Sequence, residues 1–155
     1  MVLFVIYFLQ RGCSPPVLPS LQSSYPNHFS TSSSASAIAD KLTSASLPSA
    51  ITSYQSSNTE TLGNLFVGFF NFYCDFDWYQ VLSVRLAGTK RVPFDKKWTR
   101  PYIRIEDPFD EKNVTRAVYQ YEQFSVIKQA FKTAKQRLEY EIGRASCRER
   151  VSSPV

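Results

Sequence analysis

Histidine is all but missing from these 155 residues: His28 stands alone. No serine–histidine–aspartate or cysteine–histidine set can therefore be assembled, and no pair of imidazoles can hold a metal. His28 sits in YPNHFS with no cysteine, aspartate or second histidine at a ligand spacing, and reads as a solvent-facing turn residue. Cysteine is nearly as scarce. Cys13, Cys74 and Cys147 are the only three, with neither the number nor the spacing of a disulfide framework or zinc site, which fits a reducing compartment. Long hydrophobic runs are lacking too. MVLFVIYFLQ at the start is about half of the ~20 residues that a membrane span requires. A signal peptide would need a basic stretch before the run and a small-residue cleavage site after it. Lipoprotein processing at Cys13 is excluded by Gln10 and Arg11, which stand where apolar and small residues are needed. The run reads as a buried helix stopped by Gly12 in a left-handed conformation. Being apolar all round, it must be enclosed by other elements, so the chain is expected to start in the middle of a domain.

What is present is a core. Hydrophobic residues make up 43% of the chain and aromatics 15%, enough for one modest domain. The formal charge of +5 suggests an anionic partner such as RNA. Part of that charge sits in a tail that reads as foreign: Ile142 to Val151 back-translates into a sequencing-library adapter, so residues 142–155 are set aside as non-native. Arg144, Arg148 and Arg150 against Glu149 carry +2 there, which leaves +3 for the rest.

Residues 1–29 hold the apolar helix and a stiff connector, SPPVLPSLQ, whose prolines remove donors and bias their predecessors toward extended backbone. Residues 30–57 turn to Ser, Thr and Ala, too poor in apolar area to offset ordering, and read as a mobile surface loop. Order returns over 58–141. Asn58 or Thr59 can cap a helix with Leu62, Leu65, Phe66, Phe69, Phe70 and Tyr73 on one stripe. Gly63 and Gly68 within it suggest a close backbone neighbour. YQVLSVR alternates as a half-buried strand, GTKRVPFDKKWTR is a basic loop, and PYIRIEDP alternates again and can pair antiparallel with the first strand. From Tyr121, the residues Phe124, Ile127, Phe131, Ala134 and Leu138 form one apolar stripe of a last, amphipathic helix. The fold class is α+β, mostly helical, with a short antiparallel strand pair.

Two acidic stretches compete as sites. In CDFDW, Asp75 and Asp77 could bind two divalent cations, but no glycine-rich turn for a triphosphate precedes them, and aspartates at a helix end commonly build a turn. No catalytic residue and no metal ligand is assigned. In IEDPFDEKNVTRAV, Pro108 bends the chain and holds the carboxylates of Asp107 and Asp110 in a loop. Asp110 or Asn113 can cap a following helix, so helix cap and ligand loop remain equally open on these grounds. The sequon Asn113-Val114-Thr115 is discounted in a reducing compartment.

Six blocks, MVLFVIYFLQ, PPVLPSLQ, LGNLFVGFFNFYCDFDW, VLSVR, IEDPFD and NVTRAV, occur in the order found in the cytoplasmic terminal nucleotidyltransferases. The sequence from Met1 to about Glu139, apart from the Ser-rich segment, resembles this family of poly(A) and poly(U) RNA polymerases with a PAP-associated domain, most of all its GLD-2-type branch. The resemblance implies the C-terminal half of the central domain of a polymerase-beta-like nucleotidyltransferase, inert by itself because the catalytic domain lies before Met1. It implies a nucleotide-base contact by Asp107, Asp110, Lys112, Asn113 and Arg116. It also implies an RNA 3′ end tracking along Lys90, Arg91, Lys96, Lys97 and Arg100, with phosphates contacted more than bases. ATP with Mg²⁺ or Mn²⁺ would serve the full-length enzyme and not this fragment alone. The other partners implied are the missing catalytic domain and an RNA-binding adaptor, with no membrane, in the cytoplasm and also the nucleus.

Base choice follows from hydrogen-bond polarity. Uridine-adding relatives place a histidine donor directly before the asparagine, suited to the uracil O4 acceptor; adenine offers an N6 donor that a carboxylate accepts. Here that position is Lys112, and the loss of the histidine points to polyadenylation, although a lysine can also donate to O4 and the loop is one residue shorter than in uridine-adding relatives. The alternatives are a non-catalytic nucleotide- or RNA-binding module, a uridylyltransferase of the same family, or a secreted mucin-like chain led by MVLFVIYFL.

Overall fold

A computed structural model describes the chain except residues 30–33, 44–46, 48, 116 and 152–155, and without the side chains of 35, 41, 42 and 143–151. In chain order the elements are α1 (Val2–Tyr7), a π-helical turn (Phe8–Gly12), α2 (Leu21–Ser24), α3 (Ala35–Thr43), α4 (Ser49–Thr52), α5 (Leu62–Cys74), β1 (Val81–Ser83), β2 (Gly88–Lys90), α6 (Lys96–Thr99) and α7 (Tyr121–Val151). Helix dominates, and β1 and β2 form a two-stranded antiparallel sheet, as expected for the class.

The core is aromatic and lies between α1, α5 and α7. Tyr73 of α5 is 1% exposed and meets Phe4, Phe69, Phe72 and Phe131 at ring separations of 4.8 to 5.6 Å, mostly in the edge-to-face geometry that the ring quadrupole favours. Its hydroxyl donates to the Phe4 carbonyl at 2.7 Å. Phe124 and Phe131 bring in the α7 stripe as expected, with Ile127 packed at its margin. Thr61, not Asn58 or Thr59, caps α5, its Oγ1 accepting from the Asn64 amide. At the start of that helix the stripe fails: Leu62 and Phe66 are exposed, while Phe69 and Tyr73 are buried.

The opening helix is enclosed on one side only. Phe4, Tyr7, Phe8 and Gln10 are buried, while Met1, Val2 and Val5 face outward. Gly12 ends the helix without a left-handed conformation. Its role is space, since a Cβ there would lie 2.3 Å from Phe8 Cδ2 and 3.1 Å from Phe72 Cδ2. Gly68 likewise faces the Phe8 ring at 3.2 Å rather than a backbone, and Gly63 meets only Thr61 Oγ1 at 3.8 Å. Because Phe8 is held by Phe69 and Phe72, it cannot yield, and Gly12→Ala should destabilise by about 1–2 kcal/mol. Gly63→Ala, in open space, should stabilise by about 0.5 kcal/mol through helix propensity. Urea unfolding of both variants checks the opposite signs; equal shifts would refute the packing account.

The Ser-rich segment, read from the sequence as a mobile surface loop, contains α3 and α4 among its described residues, with Ile38 buried. Alanines supply helix propensity for such short helices, and Ile38 some burial. Its far end is tied to the proline connector: Ser56 Oγ donates to the Pro16 carbonyl and Asn58 Nδ2 to that of Pro15, both at 2.7 Å.

Strand pairing also differs from expectation. The antiparallel partner of β1 is β2, inside the presumed basic loop, in the register Val81↔Lys90, Leu82↔Thr89, Ser83↔Gly88. The 102–106 segment lies on the other edge of β1 and runs parallel to it: Leu82 N donates to Arg104 O and Glu106 N to Leu82 O, each 2.9 Å. Val81 to Val84 are consequently all buried, because β1 has neighbours on both edges and cover on both faces.

Candidate functional site

The bend predicted at Pro108 closes on itself. Asp107 N donates to Lys112 O at 2.8 Å and Glu111 N to Asp107 O at 3.1 Å. Asp107 Oδ1 accepts from the amides of Phe109 and Asp110, an Asx turn that the sequence Asp-Pro-Phe-Asp favours. Asp110 Oδ1 in turn accepts from Lys112 N, and Lys112 Nζ reaches Asp110 Oδ2 at 2.7 Å. Both of these side chains are about half exposed, so the ion pair holds them weakly. From outside, Gln22 Nε2 donates to the Pro108 carbonyl at 2.6 Å.

Among the described residues no helix begins at this loop. Asn113 is 2% exposed and, instead of capping, staples the loop base. Its Oδ1 accepts from Ile105 N, Thr115 N and Thr115 Oγ1, and its Nδ2 donates to Lys97 O at 3.2 Å. Backbone pairing of Glu106 with Asn113 completes the neck. With Glu106 and Asn113 joined by an isolated antiparallel bridge, the backbone at Asn113 pairs sideways where a helical turn was expected, and α7 waits until Tyr121. Arg116 lies outside the described residues.

Under the loop is a carboxylate to which the sequence analysis assigned no role, Glu106. Glu106 is 0% exposed and receives Ser83 Oγ, Lys90 Nζ and Arg85 Nη2. Burial acts to raise its pKa, but the hydrogen bonds from Lys90, Ser83 and Arg85 outweigh it and hold the carboxyl below its ordinary 4.5. The same Arg85 nitrogen reaches Glu111 Oε2 at 3.0 Å. The available signal was Ser83 within the apolar run Val81 to Val84: a hydroxyl buried on both sides needs a partner.

The basic segment divides. Lys90 turns inward to Glu106 and over the Trp98 ring at 5.5 Å, since its position on β2 faces the buried carboxylate. Arg91, Lys96, Lys97 and Arg100 are exposed. Asp95 caps α6 by accepting from Lys97 N, and the Lys97–Asn113 bond brings this basic turn beside the acidic loop. The two candidate stretches are thus neighbours in space. Arg104 also points inward, donating to the carbonyls of Trp98, Trp78 and Thr99, and burial lowers its pKa.

Asp75 and Asp77 are turn residues. Asp75 is the C-cap of α5, and Asp77 accepts from Tyr79 N and Gln80 Nε2. Among the described residues no group of three His, Cys, Asp or Glu side chains could hold a metal ion, so no metal-dependent step is derived from them. Two open clefts border the Asp75–Asp77 turn, one of about 600 Å³ against Gly68 and Phe72 and one of about 870 Å³ along α7. Asp107 and Asp110 line neither of them. Among the described residues no helix is long and apolar enough to cross a membrane.

Comparison with known proteins agrees with this architecture. The family described as Cid1 family poly A polymerase matches residues 61–113, from the α5 cap to the asparagine staple. Poly(A) RNA polymerase GLD2 of Rattus norvegicus is 39% identical over 140 residues, covering 89% of this chain and 28% of the rat protein. The chain therefore spans little more than a quarter of that relative's length. A GLD-2/RNP-8 complex structure superimposes with a TM-score of 0.61 at 32% identity, over 89% of this chain and 40% of that one. The Cid1 poly(U) polymerase with MgGTP bound gives 0.67 at 31% identity, over 89% and 41%. These neighbours are polymerase-beta-like nucleotidyltransferases, and residues 61–113 of this chain carry the PAP-associated region of the Cid1 family poly A polymerases.

Proposed function

We propose that the chain supplies the base-contacting side of the nucleotide site in an RNA 3′-terminal adenylyltransferase. The observation carrying this reading is the loop itself: two carboxylates, Asp107 and Asp110, on a backbone-closed turn anchored at both ends. Carboxylates accept from the adenine N6 amino group and have no donor for uracil O4. Exposed Lys96, Lys97, Arg91 and Arg100 beside the loop suit the phosphates of an RNA 3′ end, contacted without base readout. Lys90, engaged by Glu106, is left out of that surface. On this reading the catalytic carboxylates and their Mg²⁺ or Mn²⁺ belong to another part of the polymerase, which also provides the second wall of the base pocket. A protein partner is part of the same reading, supported by the neighbour solved as a complex of GLD-2 with RNP-8.

The test is a polymerase in which this chain replaces the matching region of a Cid1-family enzyme. ATP incorporation should exceed UTP incorporation by about tenfold, the size of one well-placed base-edge discrimination. Preferential uridylation would overturn the assignment in favour of the uridylyltransferase alternative.

A further inference from the structure

A side chain bridges the buried carboxylate and the tip of the loop. Arg85 Nη2 lies 3.2 Å from Glu106 Oε1 and 3.0 Å from Glu111 Oε2, so one guanidinium nitrogen links the core carboxylate to the turn that carries Asp107 and Asp110, beside the Asn113 staple at its base. Glu106 is fixed from three sides, with Ser83 itself tied by accepting from the Leu86 amide. Glu111 has the opposite character. Its backbone φ is 56, a left-handed conformation that glycine adopts freely and glutamate does not. A glutamate at that place surrenders the conformational ease of glycine and gains a side chain that reaches Arg85.

We propose that Arg85 is a positioning residue for the base-contacting loop, latching Glu111 to the buried Glu106 so that Asp107 and Asp110 are presented in one fixed geometry. The inference rests on the base-contact reading above and adds a part of the machinery: Arg85 and Glu111 touch no nucleotide, and act by restraining the two residues that do. Pre-organisation of this kind raises affinity by removing the ordering cost from the binding step.

Glu111→Gly separates the latch from the backbone, because glycine keeps the left-handed turn while the anchor is lost. The experiment is amide NMR of this chain within the chimeric polymerase described above, titrated with ATP, together with hydrogen exchange at Asp107 N and Glu111 N, whose hydrogen bonds close the loop. Glu111→Gly should accelerate exchange at both amides and weaken the ATP response of residues 107–113 by about three- to tenfold, the loss of a partly exposed charge-assisted hydrogen bond. The amides of β1 should not move, and the unfolding temperature should be unchanged or slightly higher. Glu111→Gln, which can still accept from Arg85, should restore most of the response. If Glu111→Gly leaves loop exchange and ATP response as they are in the wild type, the latch is refuted. Asp107→Asn keeps the Asx turn and removes the carboxylate, and so separates the two failures. If it abolishes the ATP response while Glu111→Gly does not, the latch alone falls. If it has no effect, or the chimera carrying the wild-type chain shows no response at 107–113, the base-contact reading falls and the latch with it.

Discussion

Replacement of Glu106 by alanine is expected to destabilise the chain by about 3 kcal/mol, lowering the melting temperature by roughly 6–12 °C. Removing one partner from a buried ion pair typically costs ~3–5 kcal/mol, because the charge left behind has lost both water and its counterion. The lower end applies here, since the Arg85 and Lys90 side chains keep 22% and 27% of their exposure and can turn partly to solvent. Ser83, wholly buried, has no such escape and would be left without the acceptor of its hydroxyl proton. The effect should depend on acid in a defined direction. Burial pushes the Glu106 carboxyl up, but the donors from Lys90, Ser83 and Arg85 bring it to a net value below 4.5. Its contribution is therefore fully present above the unfolded value and is lost as pH falls through the lower folded one. Thermal melts of wild type and Glu106→Ala should differ most near neutrality and converge as the buffer is taken below 4.5. A gap that stayed constant through that range would attribute the loss to a cavity and not to the charge.

Tyr73→Ala is expected to do comparable or greater damage, about 4 kcal/mol. Deleting a buried aromatic ring costs ~3–5 kcal/mol through lost transfer energy and the cavity left behind. Tyr73 stands where α1, α5 and α7 meet, in ring contact with Phe4, Phe69 and Phe131. Collapse around the gap is hindered because each of those rings has further partners, Phe4 with Trp78 and Phe131 with Phe70. Tyr73→Phe isolates the hydrogen bond to the Phe4 carbonyl and should cost only about 1 kcal/mol. Burial raises the Tyr73 phenol far above its ordinary range, so the hydroxyl remains a donor at every pH at which the chain is folded. Urea midpoints for the two variants give the comparison, and a phenylalanine variant as unstable as the alanine one would place the energy in the hydroxyl instead of the ring.

Both experiments probe features of different legibility. The α7 stripe was readable because Phe124, Ile127 and Phe131 recur at helical spacing against a lysine-bearing face. The lower half of α5 was readable for the same reason, but not its first turn. Leu62 and Phe66 share the periodicity of Phe69 and Tyr73, and only the extent of the neighbouring elements decides which turns are covered. The turn roles of Asp77 and His28 were likewise legible, since aspartate after a helix and a histidine in a proline–asparagine context have local preferences that need no partner.

Asn113 marks the limit. Its side chain suits a helix cap and a buried staple equally well, and the outcome turned on Ile105, Thr115 and Lys97, residues brought to it by the fold. Strand pairing failed for a related reason. Both β2 and the 102–106 segment can bond to β1, but the hairpin through Ala87 closes a far shorter loop and loses less chain entropy. The 102–106 segment was then left the other edge of β1, in parallel.

Sequence alone determined the apolar helices, the bent acidic loop with Asp107 and Asp110, and the likeness to terminal nucleotidyltransferases, because periodicity, proline geometry and block order are properties of contiguous residues. Only the tertiary structure decided that Glu106 lies inside, that Lys90 turns toward it and away from solvent, and that Arg85 ties it to Glu111. A charge's worth depends on which other charges and how much water surround it, and those neighbours come from segments about twenty residues apart in the chain.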